Sequence, residues 1–245
     1  MKRCVIIPAR YQSSRYPGKP LVRLLGKPMI LWVAELSAKA VGKAHVYVAT
    51  DDERIVDVVE KAGFSAIMTG SDAPTGTDRL AEAAETLDYD IYLNVQGDEP
   101  LVQPVDINRV ADRKEQEPHA IVNAYCYLAA TEDPSNRNIP KIVATEDDTL
   151  IYMSRAALPA YKDLLNAPQR YKKQVCIYAF NKRELKDFRA FGRKSHVEAC
   201  EDIEILRFLD LSRKIVLVEA SPGSLAVDVP EDVAPVETAL EARRE

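Results

Sequence analysis

Short β-branched and apolar runs alternate along this chain with stretches whose apolar positions recur every three to four residues. Cys4–Ile7 predicts a strand. Met29–Ala40 places Met29, Ile30, Val33, Leu36 and Ala40 on one helical face. A second strand, Ala44–Ala49, ends at Thr50-Asp51-Asp52, where either aspartate can cap the next helix, Glu53–Ala62. Ala66–Met68 predicts a third strand, Thr77–Leu87 a helix, Ile91–Val95 a fourth strand and Pro104–Glu117 another helix. This β-α-β-α order implies a mostly parallel sheet covered on both faces.

The pattern becomes less regular after residue 120. Ile121–Leu128 predicts a strand, and Lys141–Thr145 with Ile151–Ser154 a hairpin around Glu146-Asp147-Asp148-Thr149. Asn166–Lys173 has the turn and charge character of a mobile loop. Val175–Phe180 predicts a strand, Glu198–Leu211 a helix, Lys214–Glu219 a strand, and Pro230 onward a terminal helix. The reading is one α/β domain, residues 1–245, whose second half carries an inserted mixed β-subregion.

Composition narrows the class of function. With 47% hydrophobic and 29% charged residues the chain is ordinary for a soluble globular protein. A formal net charge of −5 argues against non-specific nucleic-acid binding. No apolar run approaches the roughly 20 residues that span a bilayer. Lys2 and Arg3 precede only a short strand, so no signal peptide is expected. Cys4, Cys126, Cys176 and Cys200 include no CxxC pair and read as reduced core thiols of a cytoplasmic protein, with no metal or disulfide role expected. His45, His119 and His196 are isolated, and no histidine-based catalysis is expected.

Four segments carry candidate chemistry. The first strand feeds Pro8–Pro20, where Arg10, Arg15 and Lys19 stand among Ser, Gly and Pro. A basic loop by itself is more often a solvated surface. At the carboxyl end of a strand in an α/β sheet it becomes a candidate polyanion site. Asp98, in Gln96-Gly97-Asp98-Glu99-Pro100, either caps a turn or offers a carboxylate to Mg²⁺. Thr75-Gly76-Thr77-Asp78-Arg79 opens a helix whose N-terminus favours an anion, and Arg79 is either a surface residue or a donor to a base or phosphate. Asp228, in Val227-Asp228-Val229-Pro230-Glu231-Asp232, is a helix cap or a second metal carboxylate.

Taken in order, these pieces resemble the nucleotidyltransferases that activate 3-deoxy-sugar acids, the 3-deoxy-manno-octulosonate (Kdo) cytidylyltransferase family. The matching stretches are Ile7–Tyr11, Pro17–Leu21, Gly26–Ile30, Val48–Asp52, Met68-Thr69, Gly76–Arg79 and Asn94–Pro100. Later come Ser154-Arg155-Ala156, Ile177-Tyr178-Ala179, Glu204 with Leu206-Arg207, and Val227-Asp228 with Pro230–Asp232. The resemblance implies a Rossmann-like three-layer α/β sandwich, usually a homodimer. It also implies Mg²⁺-dependent transfer of CMP from CTP to a sugar acid for lipopolysaccharide biosynthesis. By position, Arg10, Arg15 and Lys19 would hold the CTP phosphates, Arg79 and Gln96 would lie around nucleotide and acceptor, and Asp98 and Asp228 would bind Mg²⁺. Arg155, Tyr178 and Glu204 would face the sugar acid.

The chain departs from the family where the acceptor is expected. A His-x-Gly ahead of Ile-Tyr-Ala is replaced by Gln174 and Cys176, a Gln after the glutamate by Ile205, and a His before the Gly-Thr-Asp-Arg segment by Asp72–Thr75. The usual Val-Asp-Thr reads Val227-Asp228-Val229. The resemblance implies Kdo or 8-amino-Kdo as acceptor, and these changes point away from Kdo itself toward 8-amino-Kdo or another 2-keto-3-deoxy acid, with Gln174 among its contacts. The competing expectations are CTP-dependent activation of a nonulosonate or phosphonate, and a non-catalytic nucleotide-binding protein.

Overall fold

Strand β1 (Arg3–Ala9) runs through the middle of the sheet, and its side chains alternate between faces. Val5, Ile7 and Ala9 enter one apolar core, and Cys4 and Ile6 enter the other. The structure, a computed structural model, describes residues 1–12, 16–223 and 225–243. A ribbon of β2 (Arg23–Leu24) and β3 (Lys27–Pro28) leads into helix α1 (Met29–Val41). There follow β4 (Val46–Thr50), α2 (Glu53–Lys61), β5 (Ser65–Met68), α3 (Gly76–Ala84), β6 (Ile91–Val95) and α4 (Pro104–Gln116). The second half adds β7 (Ile121–Tyr127), β8 (Lys141–Ala144), β9 (Leu150–Ser154), β10 (Lys172–Phe180), α5 (Lys182–Ala190), α6 (His196–Glu201), α7 (Arg207–Asp210), β11 (Ile215–Glu219) and α8 (Val233–Ala242).

The main sheet has the order β11-β7-β10-β6-β1-β4-β5, with the β8–β9 hairpin attached to the start of β10. Along this order every pairing is parallel except the two made by β10, which runs antiparallel between β6 and β7. Helices α1, α2 and α4 bury Val33, Ile55 and Val110 against one face. Helices α3 and α5 and the 203–208 segment bury Leu80, Phe188 and Phe208 against the other. The result is the expected three-layer α/β sandwich with a mostly parallel sheet.

Two features of this topology create the site. The chain leaves β1 for β4 and β5 on one side, then returns for β6 on the other, so a crevice opens beyond the carboxyl ends of β1 and β6. Because β10 is antiparallel, its first half lies at that same end of the sheet. The register pairs Ile177 with Val95, and the Gln96 N–H donates to the Cys176 carbonyl at 3.3 Å.

Several local expectations change. Helix α5 adds to the expected elements. Asn181 caps it in a reciprocal capping box with Glu184, an Asn-to-Glu signal that the charge-rich sequence masked. The helix expected over Glu198–Leu211 is broken, because Asp202 adopts a left-handed backbone (φ 50°) and residues 204–206 form a 3₁₀ turn before α7. The loop expected through Lys173 gives way to strand at Lys172, which pairs with both β7 and β8. Residues 43–45 form a 3₁₀ turn rather than the start of β4, and Pro230–Asp232 form another ahead of α8.

Candidate active site

The basic loop is built on a tight local frame. Gly18 sits at φ 72°, and its N–H donates to the Tyr11 carbonyl at 2.8 Å. A Cβ there would lie 3.3 Å from the Tyr11 ring, so this close crossing suits glycine. The Arg54 guanidinium stacks on that ring, 3.3 Å from its centroid. Lys19 follows in a short 3₁₀ turn with Pro20 buried behind it. Arg10 is exposed, lines the cleft and forms no ion pair with the described residues. Arg15 lies outside the described residues.

Asp98 and Asp228 converge on Lys19. Gly97 brings the end of β6 against the β1 loop, since a Cβ at Gly97 would stand 3.1 Å from the Pro8 carbonyl oxygen. The buried Val227 donates its N–H to the Asp98 carbonyl at 3.0 Å, which delivers the next residue, Asp228, to the same place. The Lys19 Nζ donates to Asp98 Oδ2 at 2.6 Å and to Asp228 Oδ1 at 3.3 Å. Burial opposes the charge on Lys19, yet the two carboxylates outweigh it and hold its pKa above the ordinary value. The turn at Pro230–Asp232 starts from Val229 rather than Asp228, and Asp232 Oδ2 reaches back to accept from the N–H groups of Asp228 and Val229 at 2.7 and 2.9 Å.

This donor set fits Mg²⁺. Two carboxylates from segments far apart in sequence direct oxygens at one cationic nitrogen. Among the described residues no three His, Cys, Asp or Glu side chains form a closed cage. One or two carboxylates completed by phosphate and water is how Mg²⁺ is commonly held at nucleotide sites.

The cleft beside this pair has a volume of about 780 Å³. One wall is the start of α3, where Thr75 caps the helix by accepting from the Asp78 N–H. Glu204 closes that wall, accepting from the Thr77 N–H and from Gln96 Nε2, each at 3.0 Å. Burial raises the Glu204 pKa, and hydrogen bonds from Thr77 and Thr75 only partly offset it. The facing wall is β10, whose bulge between Val175 and Tyr178 brings Gln174, Cys176 and Tyr178 to the cleft. Gln174 Nε2 donates to the Tyr178 hydroxyl at 3.2 Å and to Asn123 Oδ1 at 3.4 Å. Burial, followed by the neighbouring Cys176 and Glu204, pushes the Tyr178 hydroxyl well up, and burial does the same to the Cys176 thiol.

Arg79 and Arg155 border the cleft with their guanidinium groups bonded within the protein, and Ile205, one of the departures, lies away from it. Arg79 reaches the cleft wall, but its guanidinium donates to Thr69 Oγ1 at 2.5 Å and to Asp51 at 2.9 Å, within the protein. Arg155 also borders the cleft, with its guanidinium directed at the backbone carbonyls of Glu201, Arg137 and Asp202, so it organises these loops. Ile205 does not face the cleft at all. It is 1% exposed and packs in the core with Leu206 and Phe208. Sequence reasoning missed Glu132 and Lys173, which pair at 2.5 Å, and Lys194 and Asp202, which pair at 2.8 Å, along the same cleft. No motif marks them, because the β8–β10 region and the 194–204 loop meet only in the folded chain.

Comparison with known proteins agrees with this geometry. The cytidylyltransferase family pattern matches residues 4–215. The chain is 36% identical to a 3-deoxy-manno-octulosonate cytidylyltransferase of Escherichia coli, over 94% of this chain and 92% of that one. It is 39% identical to an 8-amino-3,8-dideoxy-manno-octulosonate cytidylyltransferase of Shewanella oneidensis, over 98% and 99%. Among solved structures, a CMP:2-keto-3-deoxy-manno-octonic acid synthetase complexed with CTP superposes with a TM-score of 0.91 at 35% identity, covering 100% of both chains.

Proposed function

Because the chain belongs to the cytidylyltransferase family, we propose that it transfers CMP from CTP to the anomeric hydroxyl of a 3-deoxy-sugar acid, Kdo or 8-amino-Kdo, releasing pyrophosphate. The observation that supports this reading most directly is Lys19 held between Asp98 and Asp228 at the crevice between β1 and β6.

In this reading the acceptor oxygen attacks the α-phosphorus in line. A new O–P bond forms, the bond to the β-phosphate breaks, and the hydroxyl proton is released. Positioning and charge stabilisation carry the catalysis. Lys19 and Arg10, with Arg15, hold the triphosphate and stabilise charge on the departing pyrophosphate. Asp98 and Asp228 would hold Mg²⁺, which when bound neutralises charge at the α-phosphate. Glu204, Gln96, Tyr178 and Gln174 line the half of the cleft assigned to the sugar acid. The carboxylate–amide pair Glu204–Gln96 orients the acceptor hydroxyls, and β10 sets the size of the pocket.

The test is a substrate panel with CTP, read by pyrophosphate release, containing Kdo, 8-amino-Kdo, a nonulosonate and a phosphonate. Release with Kdo or 8-amino-Kdo is expected. CTP binding by calorimetry with no release on either acid would overturn the reading. Light scattering of the purified protein tests the homodimer that the family implies.

A further inference from the structure

A buried charge cluster centred on Arg207 lies behind the cleft wall and reaches it through Glu198. Arg207 is 0% exposed. Its Nη1 and Nη2 donate to Asp78 at 2.7 and 3.0 Å, and its Nε and Nη2 donate to Glu198, each at 2.7 Å. Nη1 also donates to the Phe188 carbonyl at 3.3 Å, and the Phe188 ring lies 3.8 Å below the guanidinium. All five N–H donors of the side chain are therefore used. Such a cluster is a poor source of net stability, because desolvation offsets the attraction. What two forked pairs do supply is fixed geometry.

Each arm leads to the cleft. Asp78 stands in the first turn of α3, where it also accepts from the Thr75 hydroxyl at 2.7 Å. Glu198 stands in the first turn of α6 and accepts from the Ser195 N–H at 2.8 Å. The α3 arm continues into Thr75 and Gly76, and the α6 arm into Asp202, Ile203 and Glu204, all cleft residues. The two arms meet where Glu204 accepts from Thr77 and Gln96.

We propose that Arg207 is a positioning residue for the sugar acid: through Asp78 and Glu198 it locks the start of α3 to the 198–204 segment, so that Glu204 and Gln96 are preorganised for the acceptor. The inference rests on the acceptor-side reading of that wall. It separates acceptor recognition from triphosphate recognition, because the Lys19 side of the cleft is held by other contacts.

The decisive variant is Arg207→Lys, which keeps the charge and loses the fork. At a temperature where it remains folded, the KM for the sugar acid rises at least ~10-fold while the KM for CTP stays within ~2-fold. Hydrogen exchange of amides 75–79 and 203–206 accelerates at least ~10-fold, with β1 and β6 unchanged. An unchanged acceptor KM, equal rises in both KM values, or a uniform loss of protection overturns the proposal. If Arg207→Lys does not fold, Asp78→Asn breaks one arm and leaves Glu198 partnered, and the same readings apply. A wild-type protein that releases no pyrophosphate from any sugar acid sinks the proposed function alone. The exchange pattern then still decides whether Arg207 locks the two segments.

Discussion

Replacing Asp98 by asparagine keeps the shape of the side chain and removes one of the two negative charges facing Lys19. Lys19 loses the ion pair with its nearer carboxylate, at 2.6 Å, and keeps the ion pair with Asp228 at 3.3 Å. Two unit charges 4 Å apart attract by about 4 kcal/mol at an effective dielectric of 20, a value that solvent reduces at this partly exposed pair. Loss of one preorganised electrostatic group from a transition state costs about 2.7–4 kcal/mol. At 1.36 kcal/mol per decade, turnover falls by about 10²- to 10³-fold. The fold is affected far less. A partly exposed ion pair contributes about 0–1 kcal/mol, which is a Tm change of no more than about 4 °C for a chain of this size. The assay is pyrophosphate release at saturating CTP, acceptor and Mg²⁺, beside a thermal melt. Turnover within ~3-fold of wild type, with the variant folded, would refute the assignment of Asp98 to the metal and α-phosphate.

Other outcomes follow from burial in the cleft and core. Burial lifts the Glu204 carboxyl above its ordinary 4.5, so the folded state binds that proton more tightly than the unfolded chain does. Ionisation therefore weakens folding at higher pH. Glu204→Gln should raise Tm at about pH 8 and lose the gain as pH falls through the raised pKa toward 4.5, while acceptor turnover drops. Calorimetric melts across that range check it, and a Tm gain that persists in acid would count against it. Ile205→Gln buries an amide at a position that is 1% exposed. It should cost about 1–3 kcal/mol and several degrees of Tm, with the acceptor KM of the folded enzyme unchanged. An altered acceptor preference at unchanged Tm would return this position to the pocket. Gln174→Ala removes the donor to the Tyr178 hydroxyl and should raise the acceptor KM about 5- to 15-fold with the KM for CTP unaffected, measured by initial rates.

Local patterning along the chain specifies the strand–helix rhythm and the places where chemistry leaves the strands. Periodicity at Cys4–Ile7, Met29–Ala40 and Ile91–Val95 is a local property, and each appears in the fold within a few residues. The family motifs placed Lys19, Asp98 and Asp228 on loops because Gly, Pro and Asp declare turns at short range. What those loops face is set by the packing of the whole chain. Lys19 and Asp98 are 79 positions apart, Lys19 and Asp228 are 209 apart, and Arg207 and Asp78 are 129 apart. No local pattern encodes such pairings. They follow from the reversal of strand order at β1 and the antiparallel insertion of β10, which bring distant segments to one end of the sheet. The same packing turned Arg79 and Arg155 inward as organisers of the wall and sent Ile205 into the core. Residue type states what a side chain can do, and its burial and partners, fixed by the whole chain at once, decide which of those capacities it uses.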